Sequence, residues 1–459
     1  MDAPTRRLAH AATGAHELDE ALCDRARLLL FDYLAVAIRG SRSASSVTAR
    51  GALAADSATP SAVLEGTGLR TSTPAAALLN AISGHGIEMD DTNEPASLHA
   101  GVAVWPTVLA LGDERGASPA EMLAAAVAGY DAACRVGRML GGATAYERGF
   151  HPTGVCGVFG AAAAAGRLLG LSTEQMVSAL GIAATSACGS MEYLSDGAWT
   201  KRLNPGLAAA NGILAARLAS GGFRGPQTAL EGRSGFLRSY GNAESLGRTD
   251  VPFELGEGIR TTSVKLYPCC RYMHGCIDLL IDMATAEQLD PEQIQAVGCG
   301  ILMAGMGLVA EPVEQKRLIH GEVDAQFSMP FAAALALTYR RAALEDFQAA
   351  PARARELAPL IDRVECYTSE RVDAGYPERW AAEAWVRTAA GRTLRREADG
   401  FRGSPRFPAS WDDVRVKAEG LIGPELARQL AEACGGFTGA DLGVTTSLTA
   451  LRARSRCPG

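Results

Sequence analysis

Residues 118–140 have the sequence SPAEMLAAAVAGYDAACRVGRML, and this stretch is the strongest indication of the fold. Ser118 followed three residues later by Glu121 is the capping-box pattern, and Pro119 occupies the first helical position, where its missing N–H costs nothing. The pattern predicts a helix that continues to Leu140. Alanine is the best helix former, and small side chains let helices approach closely. We therefore expect a mostly helical protein with tight contacts between helices.

Further helix signals fill the first half of the chain. Ser172 with Gln175 repeats the capping pattern and predicts a helix over 176–187. Pro205–Ser220 is rich in alanine and is followed by two glycines, which predicts a helix that ends there. The apolar run 153–166 is too short for a membrane span and predicts a buried helix.

The character of the sequence changes near residues 254–264. Short apolar segments at 297–303, 364–367 and 384–395 predict strands, and Gly391 within the last predicts a hairpin turn. The overall pattern predicts a mainly α protein with a smaller α+β domain. Helix starts are still expected in this region and in the tail, at Asp290 (with Gln293), Ser328, Ser410 (with Asp413) and Pro424.

Composition narrows the classes of function. Of 459 residues, 47% are hydrophobic and 21% charged, and the formal net charge is −7. This balance argues against nucleic-acid partners and anionic membranes, since both require a basic surface. The first residues lack the apolar stretch of a secretory signal, and no window is apolar enough to span a membrane. Eleven cysteines without regular spacing suit a reducing compartment, so a cytoplasmic protein is expected.

Several common catalytic motifs are missing from the sequence. It has no phosphate-binding G-x-x-x-x-G-K-[ST], no strand-linked G-x-G-x-x-G, no H-E-x-x-H and no G-x-S-x-G. The cluster Cys269, Cys270, His274 and Cys276 lacks the C-x-x-C pairs of structural zinc sites. We therefore expect no metal site and no nucleotide cofactor.

Histidines and carboxylates concentrate in short polar segments. Of the seven histidines, four lie in such segments, and histidine is the side chain best suited to proton transfer near neutral pH. In the segment from His85 to His99, carboxylates lie close together in the sequence, and such crowding can raise the pKa of one of them and so supply a base. The alternative is a solvated helix end whose acids cap the helix. The four histidines are His85, His99, His151 and His274, and the carboxylates between the first two include Glu88, Asp90 and Asp91.

Two lysines lie in similar surroundings. Lys201 lies in DGAWTKRLNPG (196–206), just before the predicted apolar helix, and could hold a substrate carboxylate at a helix N-terminus. Lys265 permits the same interpretation. For both, the alternative is an ordinary surface lysine.

Taken in order, these motifs resemble the MmgE/PrpD family. Each is weak alone, but their shared order along the chain makes the resemblance strong. The motifs are HGIEMDDT (85–92) with His99, GFHPTG (149–154), KRLNPG (201–206), GGFRGP (221–226) with EGRSGF (231–236), KLYPCCRYMH (265–274) and AQFSMPF (325–331).

The resemblance implies a fold and a chemistry. The family's fold is a large all-α domain, here 1–257 completed by 406–459, with an inserted α+β lid domain, here 258–405, and its active site lies between them. The family includes 2-methylcitrate dehydratase, cis-aconitate decarboxylase and iminodisuccinate epimerase. These enzymes act on di- or tricarboxylic acids without metal or organic cofactor and are usually homodimers.

The resemblance also assigns roles to residues. Lys201, Lys265 and Arg271 would bind substrate carboxylates. Either His99 or His151 would be the base, and the other histidine, or Tyr146, would be the acid. The candidate catalytic residues are His99, His151, Tyr146, Asp91 and Lys201. The candidate substrate-binding residues are Glu88, Thr92, Lys265, Cys270, Arg271 and His274.

Departures from the family pattern leave the reaction open. The chain has Glu88, Cys270 and Phe331 where cis-aconitate decarboxylases resemble one another with Asp, His and Tyr. We therefore expect a lyase, with dehydration of a small polycarboxylic acid favoured. The alternatives are an epimerase or isomerase, a decarboxylase, and a non-catalytic carboxylate-binding protein of the same fold.

Overall fold

The computed structural model describes residues 3–53, 59–250 and 254–454 and divides the chain into two compact units. The first unit comprises Met1–Tyr193, Trp199–Val264 and Ser410–Gly459, and the second comprises Leu194–Ala198 and Lys265–Ala409.

The first unit is mainly helical up to Val264. Its helices are α1 (Pro4–Thr13), α2 (Glu20–Gly40), α3 (Ala44–Leu53), α4 (Thr73–Gly84), α5 (Gly101–Arg115), α6 (Pro119–Leu140), α7 (Gly142–Glu147), α8 (Pro152–Leu168), α9 (Thr173–Thr185), α10 (Thr200–Ser220), α11 (Phe236–Tyr240), α12 (Ala243–Gly247) and α13 (Glu257–Arg260). Its strands are β1 (Ala62–Val63), β2 (Arg70–Thr71), β3 (Thr92–Asn93) and β4 (Thr262–Ser263).

Both predicted capping boxes are confirmed in this unit. The side chains of Ser118 and Ser172 accept hydrogen bonds from the third residues of α6 and α9, and Glu121 and Gln175 bond back to the cap N–H groups. These interactions satisfy backbone groups that the first turn of a helix leaves without partners. Local sequence therefore fixes where both helices begin.

Helix α8 is the centre of the first unit. It is buried along almost its whole length and packs against α6 and α10. Gly160 of α8 lies so close to α6 that a Cβ atom there would lie 2.7 Å from the carbonyl oxygen of Gly129. Only glycine permits this approach, which confirms the expected tight contacts between helices.

The start of α10 was predicted wrongly. The helix begins at Thr200 rather than at Pro205, so Lys201 lies in its first turn instead of just before it. Pro205 lies inside this helix and removes one backbone donor. The helix nevertheless continues through it, and the residues around Pro205 are buried and packed.

Two short strands, which the sequence analysis did not predict, hold the segment that follows α4. In β3, Thr92 pairs with Ser263, and Asn93 pairs with Thr262 of β4 in antiparallel register. The pairing joins residues that are about 170 positions apart in the sequence. Pairs of two residues carry no periodic signal, so local pattern could not reveal them.

The second unit combines helices with a sheet. Its elements are α14 (His274–Ala286), β5 (Ile294–Gly300), α15 (Met303–Val309), α16 (Val313–Arg317), α17 (Glu322–Gln326), α18 (Met329–Tyr339), α19 (Leu344–Gln348), α20 (Ala350–Ile361), β6 (Val364–Tyr367), α21 (Glu370–Asp373), β7 (Ala382–Thr388) and β8 (Thr393–Ala398). The strand order is β6-β5-β7-β8, with β5 and β6 parallel and the other pairs antiparallel. The mainly α fold with a smaller α+β part is thus confirmed.

Sequence predictions in the second unit had mixed success. The strand at Val364–Tyr367 and the hairpin turn at Gly391, whose φ is +81°, are confirmed. The helix predicted to start at Asp290 is wrong. Asp290 caps only one 3-10 turn, and the chain then enters β5, because Ile294 and Val297 are β-branched and fully buried in the sheet.

The tail returns to the first unit as α22 (Trp411–Ile422), α23 (Pro424–Gly435) and α24 (Leu442–Arg452). The predicted capping box of Ser410 with Asp413 is confirmed. Across the described parts of the chain, every cysteine is a free thiol, and no helix combines the length and apolarity that crossing a membrane requires.

Candidate active site

The segment between α4 and α5, residues 85–100, is held in place by buried contacts on several sides. We call it the site loop. The carboxylate of Asp91 accepts the backbone N–H of Gly101 at 3.0 Å and the hydroxyl of Tyr130. From the tail, Lys417 of α22 donates to the carbonyl of Met89 at 2.8 Å. The site loop is therefore fixed in position by both neighbouring and distant parts of the chain.

Two histidines of the site loop, His85 and His99, lie close to His151, which precedes α8. The ring centroids of His85 and His99 are 4.9 Å apart, those of His85 and His151 5.7 Å, and those of His99 and His151 6.5 Å. The ring of Tyr193 contacts His151 edge-on at 5.9 Å. The structure thus brings together His99 and His151, the two histidines proposed from sequence as acid and base.

The partners of His99 determine which ring nitrogen carries its proton. Its Nδ1 atom lies 2.9 Å from the carbonyl oxygen of Asp91 and 3.2 Å from the hydroxyl of Thr92. A carbonyl oxygen only accepts, so this assigns the proton to Nδ1. The Nε2 atom then carries a lone pair, which is the form of imidazole that accepts a proton.

His151 has the opposite arrangement. The side-chain amide of Asn204 lies 3.2 Å from Nδ1 of His151. Because an NH₂ group only donates, Nδ1 accepts, and the proton of the neutral ring lies on Nε2. Burial, followed by the positive charge of Lys201 and the neighbouring histidines, holds the pKa of His151 well below its usual range. His151 is therefore neutral and can donate from Nε2.

Lys201 and Glu88 form a buried ion pair beside these histidines. The side chains are 8% and 2% exposed, so the alternative of an ordinary surface lysine is wrong for Lys201. Glu88 has a φ of +56°, a backbone conformation that residues other than glycine rarely adopt. Strain of this kind concentrates at functional sites, where surrounding contacts maintain it.

Two polar residues of the cluster, His85 and Asp90, were not among the predicted site residues. Asp90 Oδ2 lies 2.8 Å from Nδ1 of His85 and 3.3 Å from Nδ1 of His99. Burial is the main reason that the pKa of His85 is lowered, although the carboxylate opposes this effect. The spacing of His85 and Asp90, five residues across a tight loop, was the available sequence signal.

Asp91 and Tyr146 have partners of their own around the site loop. Burial raises the pKa of Asp91 to about 7, against the opposing effect of its bonds to Tyr130 and Gly101. The hydroxyl of Tyr146 donates to the carbonyl of Ser97 at 3.2 Å. These bonds hold both residues against the protein interior and the loop backbone.

The remaining predicted residues lie together within the second unit. Arg271 and His274 are bonded at 3.1 Å, the Arg271 guanidinium lies 4.4 Å from the ring of Phe401, and His274 Nε2 lies 3.4 Å from the carbonyl of Cys269. Both nitrogens of His274 thus have partners in this unit. Three further residues of the unit are buried: Lys265, Cys270 and Phe331.

One set of side chains has the composition of a metal site. In the part of the chain that the structure describes, the ligand-type atoms of His85, Asp90 and His99 lie within 4.8 Å of one another. The Nδ1 atoms of both histidines, however, point to the same carboxylate oxygen at hydrogen-bonding or near hydrogen-bonding distance. Protonated Nδ1 atoms cannot bind a metal, so hydrogen bonding explains this set better.

Comparison with known proteins places these features in a family. The family model described as the MmgE/PrpD N-terminal domain matches residues 6–249, and the MmgE/PrpD C-terminal domain matches residues 267–434. A cis-aconitate decarboxylase-like protein of Aspergillus oryzae is 30% identical over 375 residues, 76% of each chain. The cis-aconitate decarboxylase of Aspergillus terreus is 34% identical over 227 residues, which is 47% of this chain and 46% of that enzyme. The alignment thus spans about half the length of the latter enzyme.

Proposed function

This chain belongs to the MmgE/PrpD family, and we propose that it is a lyase that dehydrates a small di- or tricarboxylic acid without a cofactor. The observation that carries the proposal is the complementary protonation of two neighbouring histidines. His99 presents an unprotonated Nε2, and His151 presents a protonated Nε2. An elimination requires one base and one acid, and this pair supplies both.

The proposed reaction transfers one proton at each histidine. His99 Nε2 takes the proton from the carbon next to a substrate carboxylate, and an enediolate develops. The electron pair then forms the carbon–carbon double bond as the neighbouring C–O bond breaks. The leaving hydroxyl takes the Nε2 proton of His151 and departs as water, which leaves His151 as an imidazolate beside the positive charge of Lys201. After product release, the proton held by the His99 imidazolium returns to His151, so both rings regain their starting protonation. The ring centroids of His99 and His151 lie 6.5 Å apart, close enough for both rings to contact one small substrate.

Cations are needed to stabilise the enediolate, because the proton removed is only weakly acidic. Lys201 is the buried cation of the cluster, and we propose that its ammonium group binds the carboxylate next to the reacting carbon. Lys265 and Arg271 are proposed to bind further carboxylates of the substrate, as the family resemblance implies.

Decarboxylation is the second candidate, and the relatives' names favour it. The similar proteins from Aspergillus terreus and Aspergillus oryzae are named as cis-aconitate decarboxylase and cis-aconitate decarboxylase-like. Loss of CO₂ leaves a carbanion that needs only a proton donor, and His151 could supply it. A decarboxylase has less need of the base that His99 provides, and for this reason we place dehydration first.

Proton NMR in D₂O with a panel of polycarboxylic acids, including citrate, 2-methylcitrate, cis-aconitate and iminodisuccinate, tests the proposal. We expect loss of water from a hydroxy acid, and loss of this activity in His99→Gln and His151→Gln. His10→Gln, which alters an exposed histidine of α1, is the matched control and should keep full activity. Release of CO₂ from cis-aconitate alone would establish the second candidate. Deuterium exchange without loss of water or CO₂ would indicate an epimerase, and the absence of both exchange and turnover with every acid would overturn the catalytic proposal.

A further inference from the structure

We propose that Asp90 and His85 form a positioning pair behind His99, in which Asp90 orients the base and stabilises its charged form, and His85 orients Asp90. This inference rests on the proposed function, since it assigns partners to the base of that reaction. Neither residue was among the site residues predicted from sequence.

The geometry places one carboxylate oxygen between two imidazoles. Asp90 Oδ2 lies 2.8 Å from Nδ1 of His85 and 3.3 Å from Nδ1 of His99. An ionised carboxylate only accepts hydrogen bonds, so His85 donates from Nδ1. His85 is completely buried and Asp90 is 2% exposed, which leaves bulk water little access to either group.

The charge that develops on His99 gives Asp90 its role. When Nε2 of His99 takes the substrate proton, the ring becomes an imidazolium while Nδ1 keeps its own proton. A carboxylate 3.3 Å from that nitrogen is then a counter-charge already in place. In a site that excludes water, such an interaction is much stronger than at a surface. The carbonyl of Asp91, at 2.9 Å from the same nitrogen, fixes the ring orientation but carries no net charge.

The surroundings of His85 suit a neutral donor rather than a second cation. Lys201 and the other two histidines lie around it, and burial already disfavours its charged form. Its ring also stacks on His151 with an interplanar angle of 22°. A neutral His85 can therefore hold the Asp90 carboxylate without competing with His99 for its negative charge, and it supports the ring of the proposed acid at the same time.

The test is Asp90→Asn in the full chain, with Asp131→Asn as the matched control. Asp131 is another buried aspartate of the first unit, but it accepts from the backbone N–H groups of Gly256 and Gly258 at 2.7 and 2.9 Å. We expect kcat of Asp90→Asn to fall by a factor on the order of 10² to 10⁴, as for the aspartate of a catalytic triad, while KM stays within about threefold. Asp131→Asn should lower the melting temperature but keep kcat.

A conservative pair of variants tests His85. His85→Gln keeps a donor for Asp90 and should retain more of kcat than His85→Leu, which keeps none. A kcat of Asp90→Asn within about threefold of the unmodified chain would overturn the inference, as would equal activities of the two His85 variants. His99→Gln separates the two proposals. If it is inactive while Asp90→Asn is fully active, only the positioning pair fails, whereas full activity of His99→Gln would refute the proposed function itself.

Discussion

Lys417 joins the tail of the chain to the site loop, and its replacement by methionine is a sharp test of how the site is held. The residue lies on α22, and its ammonium group donates to Asp32 of α2 at 2.6 Å and to the Met89 carbonyl at 2.8 Å. Side-chain exposures of Lys417 and Asp32 are 3% and 1%. Methionine has a similar length but neither charge nor donor, so Lys417→Met removes both bonds while keeping most of the packing.

The expected cost follows from the burial of the pair. Removing one member of a buried ion pair leaves the other as an uncompensated charge and costs about 3–5 kcal/mol in free energy of unfolding. The Met89 carbonyl also loses its donor, which is worth about 1 kcal/mol within that range. Since domains are stable by about 5–15 kcal/mol, the loss is large. The double variant Lys417→Met/Asp32→Asn also lacks the unpaired carboxylate, so it should recover more than half of the free energy of unfolding that Lys417→Met loses.

The free energy of unfolding that Lys417→Met loses should depend on pH, and the direction of that dependence follows from the pKa of Asp32. Burial raises the pKa of Asp32 in the folded chain, and Lys417 opposes that rise. Lys417→Met therefore raises the pKa further above the unfolded value of about 3.9. An acid with a raised folded pKa contributes stability that is complete at low pH and is lost as the pH rises through that pKa. The destabilisation by Lys417→Met should thus be small near pH 5 and large at pH 8.

Urea unfolding followed by circular dichroism at pH 5 and pH 8 measures these differences. Arg452→Met is the matched control, because Arg452 is also a buried cation of the tail, and its ion-pair partners Glu65 and Asp113, each at 2.9 Å, lie outside the site loop. Both variants should be destabilised, but only Lys417→Met should also lower kcat, since only it releases Met89. A loss that is equal at both pH values, or a double variant no more stable than Lys417→Met, would refute the reasoning.

Three further predictions concern the cluster itself. Glu88→Gln removes the carboxylate paired with Lys201 and should destabilise the chain by about 3–5 kcal/mol. It should also lower KM for polycarboxylates, because the substrate then supplies the counter-charge of Lys201. A raised KM in steady-state kinetics would contradict this prediction. Because the pKa of His151 is lowered in the folded chain, the unmodified protein loses stability as the pH falls through the unfolded pKa of about 6.5. His151→Gln lacks this loss, so between pH 8 and pH 5.5 its free energy of unfolding, measured with urea, should rise by about 1.4 kcal/mol relative to that of the unmodified chain. A difference between the two proteins that is the same at both pH values would contradict this prediction. Dialysis against EDTA should leave turnover unchanged, because Asp90 already engages both imidazoles; a loss that added zinc restores would show the opposite.

Sequence predicted the parts of this molecule that depend on local chemistry. The capping boxes at Ser118, Ser172 and Ser410 mark helix starts that the structure reproduces, because each cap satisfies its own first turn. The same kind of signal failed at Asp290, where burial in the sheet outweighed the cap. Contacts between distant segments left no local trace, and the bond from Lys417 to Met89, 328 positions away, is the clearest case.

The two adjacent aspartates of the site loop show where motif analysis reaches its limit. The sequence gives Asp90 and Asp91 the same residue type in the same motif, and the family resemblance selected Asp91 for catalysis. In the structure, Asp91 uses its carboxylate on the N-terminus of α5 and on Tyr130, whereas Asp90 uses its own on His85 and the nearby His99. The two carboxylates are adjacent in the chain but have different partners, because Asp91 bonds to the helices and Asp90 lies against the histidines. These partners lie in other parts of the chain, which a local motif does not show, and the reaction's counter-charge is expected at Asp90 because its carboxylate lies 3.3 Å from Nδ1 of His99.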